Sequence, residues 1–311
     1  HAYTKRENVE LLGGQGGLAL YFLSQWVKTG QSRSLLQAQL CLKKALLGIN
    51  KLYEETSFHA GPLGILWVNY LFEEQTNTRV IDEELVTKIL CKYFETQRDK
   101  KVYENHVLDF IYGVTGWFVI YPYLSEEFQE RVLSSFVNKV KSKGDKFLDE
   151  RGYLGFAHGL ASILFIIKEY HITELEDFYL KNISILEQAV VNGKLPRTVA
   201  GKDFKRQDWC HGVIGAALLD KDNSQYLKTF FEQEIDPQSH GVCHGVGSRI
   251  LVGKLIEHVF RSEYKANIKI GNNLVWKDEM KFYFLESFMI AQMSIDLNVD
   301  SDFKWWRFVY P

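Results

Sequence analysis

Two short stretches, "DWCHGVIGAALL" at residues 208–219 and "GVCHGVGSRIL" at residues 241–251, each set a cysteine, a histidine and a glycine in a row. The chain has four cysteines in all, so half of them occur in this setting. Cysteine sulfur and imidazole nitrogen are ligands that zinc takes. Three protein ligands leave a fourth position open, the arrangement of a catalytic site. Cys210, Cys243 and one histidine would supply three. Either His211 or His244 can be that histidine, since each follows a cysteine; if both bound, the site would be closed and structural. Two buried thiols beside helix starts are the bland alternative, and the repetition argues against it. No C-x-x-C pair exists, which disfavours a zinc finger.

Three more residues could do chemistry near such a centre. His158, in "GFAHGLAS", is placed before a glycine as His211 and His244 are, and an imidazole there can move a proton. A lone histidine is ordinarily structural; its shared position is what singles it out. Asp109, in "LDFIYG", is either a local helix cap, for which aspartate is a favoured residue, or a partner for a cation. Arg206, in "KRQDWCHG", stands among Lys194, Arg197, Lys202 and Lys205 and reads as a solvated loop charge or as a cation beside the site. "GVGSRILVGKL" resembles a phosphate-binding loop only superficially. Its spacing is wrong, and Leu255 stands where Ser or Thr is needed.

These residues must be positioned by a repeat, and one is written in glycine. "LLGGQGGLALYFLSQW", "FHAGPLGILWVNYLF", "LDFIYGVTGWFVIYPYL", "YLGFAHGLASILFIIKEY", "WCHGVIGAALL" and "VCHGVGSRILVGKLIEHVF" each open an apolar run with a glycine turn. A seventh run, "FLESFMIAQMSI", lacks the glycines. Gly14, Gly61, Gly113, Gly159, Gly212 and Gly245 mark the register, with spacings of 47, 52, 46, 53 and 33 residues, most of them near one helical hairpin. Between the turns run amphipathic segments with a helical period: Leu35, Leu36, Leu40, Leu42, Leu46, Ile49 and Tyr53; Leu85, Val86, Ile89, Leu90 and Tyr93; Val132, Leu133, Phe136, Val137 and Val140. Ser125, before Glu126 and Glu127, predicts a helix start, and Gly193 a helix stop. Each repeat is then one buried helix and one amphipathic helix, and no segment alternates strongly enough to predict a sheet. The first and last repeats are as apolar as the middle ones, whereas an open solenoid needs polar caps. The expected fold is therefore all-α, a closed α/α toroid of about seven inner and seven outer helices, a single domain over residues 1–311. Its glycine turns would gather helix N-termini at one end, a positive potential that suits anions and thiolates.

Composition narrows the function. The 37 basic and 39 acidic residues nearly cancel, so no global field points to nucleic acid or an anionic membrane. Runs such as "ASILFII" are too short to span a bilayer. The opening "HAYTKRENVE" has no apolar stretch of the secretory kind, and Cys41 and Cys91 lie in helical patterns as packed thiols. A cytoplasmic protein with reduced thiols is the expectation.

Taken in order, the glycine repeats, "AHG", "WCHG" and the second "CHG" resemble the lanthionine synthetase C family over roughly residues 11–295. The resemblance implies an α/α toroid around a zinc ion, held by Cys210, Cys243 and His244. It implies an enzyme that joins cysteine thiols to dehydroalanine or dehydrobutyrine, closing lanthionine and methyllanthionine thioether rings as in lantibiotic biosynthesis. It places His158, Asp109, Arg206 and His211 in the active site. The implied partners are a precursor peptide with a leader, carrying dehydrated Ser or Thr and Cys, and a dehydratase and transporter complex. Two departures stand out. The last glycine spacing is short, and Ser162 and Ser248 replace a second glycine in the fourth and sixth turns. Two other functions stay open: addition of glutathione to dehydroamino acids in proteins, and a zinc-stabilised scaffold that binds peptide without catalysis.

The expected stoichiometry is one zinc per chain. Elemental analysis of Cys210→Ala and Cys243→Ala checks it, each variant losing the metal; full retention in both would remove the centre.

Overall fold

The computed structural model describes residues 8–11, 13–55, 57–99, 107–150, 152–204, 207, 209–212 and 219. Among them are seven α-helices: α1 (Gln15–Thr29), α2 (Ser32–Leu47), α3 (Pro62–Thr76), α4 (Glu83–Asp99), α5 (Glu126–Glu150), α6 (Leu160–Glu169) and α7 (Glu176–Ala189). The described residues hold no strand, only isolated bridges, as the absence of alternation predicted. None of their helices is long and apolar enough to cross a membrane. The later repeats of the expected seven plus seven lie outside the described residues.

The chain divides into two compact units. The first holds α1 to α4, with α1 against α2 and α3 touching α1, α2 and α4. The second holds, of the described residues, 107–118 and those from 124 to 219, with α6 against α7. Within each, a buried run alternates with an amphipathic helix. Every residue of Leu160–Ile167 in α6 is buried, and so is every residue of Pro62–Asn69 in α3. The amphipathic helices bury one face: Val86, Ile89, Leu90 and Tyr93 in α4; Val132, Phe136 and Val140 in α5. In α2 that face is Ala38, Cys41, Leu42, Ala45 and Leu46, while Leu36 and Leu40 face solvent, so small residues carry part of the stripe. Cys41 is a packed thiol, and burial pushes its pKa up.

What repeats most faithfully is the turn. The first N–H groups of a helix have no partner within it. Here the chain hooks back and supplies one. The residue after the register glycine donates to a carbonyl six residues before that glycine: Gln15 to Asn8 at 3.0 Å, Val114 to Val107 at 3.0 Å, and Leu160 to Tyr153 at 2.9 Å. The returning backbone lies against the glycine. A Cβ on Gly14 would come within 2.6 Å of the Asn8 carbonyl oxygen, and one on Gly61 within 2.5 Å of the Ser57 oxygen. These glycines have ordinary extended backbones, so it is space that demands them. Ser162, in place of a second glycine, is fully buried and donates its hydroxyl to the Gly159 carbonyl at 3.1 Å.

Two expectations are corrected. The third buried run is not an α-helix but two 3-10 helices, Val114–Val119 and Tyr121–Tyr123. Pro122 has no N–H to continue an α-helical ladder and disfavours the helical backbone at the residue before it, while the run is rich in β-branched and aromatic side chains. Gly193 does not end a helix either. Helix α7 stops at Ala189, and Asn192 (φ 51) with Gly193 (φ 72) forms the two-residue turn that pairs Val191 with Lys194 at 2.9 and 3.0 Å. Both central residues need positive φ, which Asn-Gly supplies at least cost. The predicted start at Ser125 is right: α5 begins at Glu126, and Gln129 donates to the Ser125 carbonyl at 2.8 Å.

Phe136 is fully buried and meets the Phe118 ring edge-on at 5.2 Å. Phe136→Ala is expected to lower unfolding stability by about 3–5 kcal/mol, read from denaturant midpoints; a loss under about 1 kcal/mol would mean that this core collapses around the gap.

Candidate active site

Successive glycine turns of the second unit are joined backbone to backbone. Phe110 and Ile111 both donate to the Ala157 carbonyl, at 3.1 and 3.3 Å, and Phe156 donates to the Trp209 carbonyl at 3.3 Å. The turns therefore lie in register, and residues at the same distance from their glycine stack. Three before it stand Phe110, Phe156 and Trp209, all buried, with ring centroids 5.5 Å apart for the first pair and 6.2 Å for the second. One before it stand Tyr112, His158 and His211, whose rings form a second stack. His158 lies 5.9 Å from Tyr112 at 23° between planes, and 5.3 Å from His211 at 27°. The Tyr153 ring follows, 6.0 Å from His211, with the Arg197 guanidinium 5.2 Å from its centroid. An aromatic floor thus underlies a histidine-bearing rim.

Asp109 serves both readings that its sequence position allowed. Oδ1 accepts the backbone N–H of Ile111 at 2.6 Å and of Tyr112 at 3.0 Å, closing its own turn. Oδ2 lies 2.8 Å from Nδ1 of His158, 49 residues away. The Asp109 side chain is fully buried, and a buried carboxylate is tolerable only when hydrogen bonds replace its water. With Asp109 ionised, Nδ1 of His158 carries a hydrogen and donates it. Nε2 is then left to accept or deliver a proton. The His158 side chain is 19% exposed. Nδ1 faces Asp109, so Nε2 is the ring nitrogen that this carboxylate does not hold.

Cys210 and His211 stand on the adjoining turn. Cys210 is buried and in no disulfide, and His211 is nearly buried. Gly155 lets the fourth turn press on them. A Cβ there would collide with the Cys210 carbonyl and come within 2.6 Å of the His211 Cα. The strand-like segment after α7 supports the other side. Leu154 donates to the Arg197 carbonyl at 3.2 Å and Val199 to the Gly152 carbonyl at 2.8 Å. The buried Gln207 carboxamide holds that segment, accepting from the Leu195 N–H at 3.0 Å and donating to the carbonyls of Leu195 at 2.9 Å and Phe204 at 3.1 Å.

The structure thus brings Asp109, His158, His211 and Cys210 together. Arg206, Cys243 and His244 lie outside the described residues. Among the described residues no three His, Cys, Asp or Glu side chains gather as a metal site. The donor that is described fits zinc: a soft thiol in no disulfide, screened from solvent, on a turn fixed by its neighbours. Sequence reasoning missed Tyr112, Tyr153, Gly155 and Gln207. Tyr112 carried a readable signal, since it precedes Gly113 as His158 precedes Gly159 and His211 precedes Gly212.

Comparison with known proteins bears on the family and the fold. The sequence profile of a family described as "Lanthionine synthetase C-like protein" matches residues 6–295. No curated protein matches the chain. Among solved structures, nisin cyclase is similar with a TM-score of 0.73 at 15% identity, over 99% of this chain and 94% of that one. This likeness shows the fold, the all-α, α/α-toroid class expected from the sequence.

The bifunctional carboxylate makes a sharp prediction. Asp109→Asn keeps an oxygen for the two backbone N–H groups but is expected to turn an amide N–H toward His158. Nitrogen-15 imidazole shifts should then report the proton on Nε2 instead of Nδ1, with little loss of thermal stability. An unchanged tautomer would mean that Asp109 does not set it.

Proposed function

The chain belongs to the lanthionine synthetase C-like family, and from that premise we propose that it is a cyclase. It adds cysteine thiols of a precursor peptide to dehydroalanine or dehydrobutyrine in the same peptide, closing thioether rings. The observation that carries this reading is the partly exposed His158 imidazole, held at Nδ1 by Asp109, on the turn adjoining Cys210.

Addition of a thiol across a carbon–carbon double bond needs a thiolate at one end and a proton donor at the other. A free cysteine is only a few per cent thiolate at neutral pH. Cys210, Cys243 and His244 would hold a zinc ion, which when bound supplies the means to ionise a substrate thiol at neutral pH. The sulfur forms a bond to the β-carbon. The π electrons move to the α-carbon and its carbonyl as an enolate. His158, protonated at Nε2, delivers its proton to the α-carbon, and Asp109 supports the imidazolium while it is charged. The proton lost by the thiol returns to His158 through solvent, so the reaction nets to addition of S–H. Arg206 and the N-terminal N–H groups of the buried helices would stabilise the enolate. His211, stacked on His158, screens it from one side and is the reserve proton donor. A leader-bearing precursor is the substrate, and a dehydratase and transporter act alongside.

His158→Ala tests the assignment. It removes no zinc ligand, so zinc content and peptide affinity should hold. Single-turnover ring closure on a dehydrated peptide should slow about 10²–10⁴-fold, the usual worth of general acid catalysis. Wild-type closure with zinc in place would remove His158 from the role and pass it to His211. Glutathione adducts at the dehydro residues in place of rings, in the unmutated protein, would replace peptide cysteine as the thiol.

A further inference from the structure

His158 is held at one atom by Asp109, and a ring held at one atom can still pivot about that hydrogen bond. A proton donor that must reach one face of a planar carbon needs its plane fixed as well. His211 covers one face of the imidazole, and Tyr112 covers the other at 5.9 Å with the planes 23° apart. Tyr112 is itself tied to the same carboxylate, because Oδ1 of Asp109 accepts its backbone N–H at 3.0 Å while Oδ2 meets His158 at 2.8 Å. Carboxylate, tyrosine and histidine thus form a closed triangle: two hydrogen bonds to one side chain and one ring stack. Tyr112 is also 42% exposed, so burial in the core is not what holds it there.

Resting on the cyclase reading above, we infer that Tyr112 is a positioning residue for the reaction, which closes one face of His158 and so fixes the plane in which Nε2 presents its proton. The aromatic ring does this and the hydroxyl does not. The loss of one aromatic stack corresponds to about tenfold in the population of the productive ring orientation. Tyr112 is not among the zinc ligands implied for this chain, so the effect of changing it is expected on proton delivery and not on metal binding.

The test uses the full chain with zinc, as wild type, Tyr112→Leu and Tyr112→Phe, each checked for helicity and melting temperature. Proton resonances of the His158 ring, assigned by their absence in His158→Ala, are expected upfield in wild type and in Tyr112→Phe, and to move downfield in Tyr112→Leu as the ring current is lost. Single-turnover ring closure should fall about tenfold in Tyr112→Leu with peptide affinity and zinc content unchanged, and Tyr112→Phe should restore most of the rate. His158 resonances that do not move, or a Tyr112→Leu rate equal to wild type, would overturn the inference. So would a Tyr112→Phe variant as slow as Tyr112→Leu, which would give the role to the hydroxyl. If the wild-type protein closes no ring, the cyclase reading fails by itself, and the resonances still decide whether Tyr112 orders His158.

Discussion

The hydrogen bonds that pass from one glycine turn to the next govern the rest of this structure. Among the described residues, neighbouring turns within a unit are joined N–H to carbonyl, from Leu11 to His59 in the first unit and from Phe110 to Ala157 and Phe156 to Trp209 in the second. Such bonds hold the register, because a shift of one residue would take each ring out of line with its counterpart in the next turn. They require backbone-to-backbone approach, and Gly155 shows the limit: the space a methyl group would fill already holds the Cys210 carbonyl. The repeat is therefore conserved in geometry even where its helices are not, as in the third repeat, whose buried run is 3-10 and whose hook still closes from Val114 to Val107.

That alignment is what makes a buried carboxylate affordable. Asp109 is out of water and would be costly alone. Its turn supplies two N–H donors and the next turn supplies an imidazole, so both oxygens are used. The same carboxylate orders the loop and sets the proton on His158. Structural and chemical roles are shared by one side chain and are separable by its two atoms. On the proposed chemistry this matters because the proton must leave from the ring edge opposite Asp109.

Much of this was legible before any coordinates. The glycine register, the buried and amphipathic alternation, and the candidates His158, Asp109, Cys210 and His211 are local features, set by residue type and spacing. The family resemblance assigned them to one site; in the structure Asp109 meets His158, His158 stacks with His211, and Cys210 precedes His211 on the same turn. The third buried run misled because its apolar content suits either helix type; Pro122 and the β-branched residues decided it. Gly193 misled because a left-handed glycine ends a helix and also makes a two-residue turn, and only the pairing of Val191 with Lys194 distinguishes them.

By itself, then, the sequence determined where the turns fall and which residues stand beside each glycine, because a missing Cβ and a helical period are properties of a short stretch of chain. Only the tertiary structure decided what those residues face. Nothing in the 49-residue separation of Asp109 and His158 encodes their 2.8 Å contact, and nothing near Tyr112 announces the imidazole on its ring. Both follow from turns laid side by side, and that adjacency arises from burying the helices between them. The free energy that places the site is thus spread over the core, while the chemistry is written in the four or five residues at its edge.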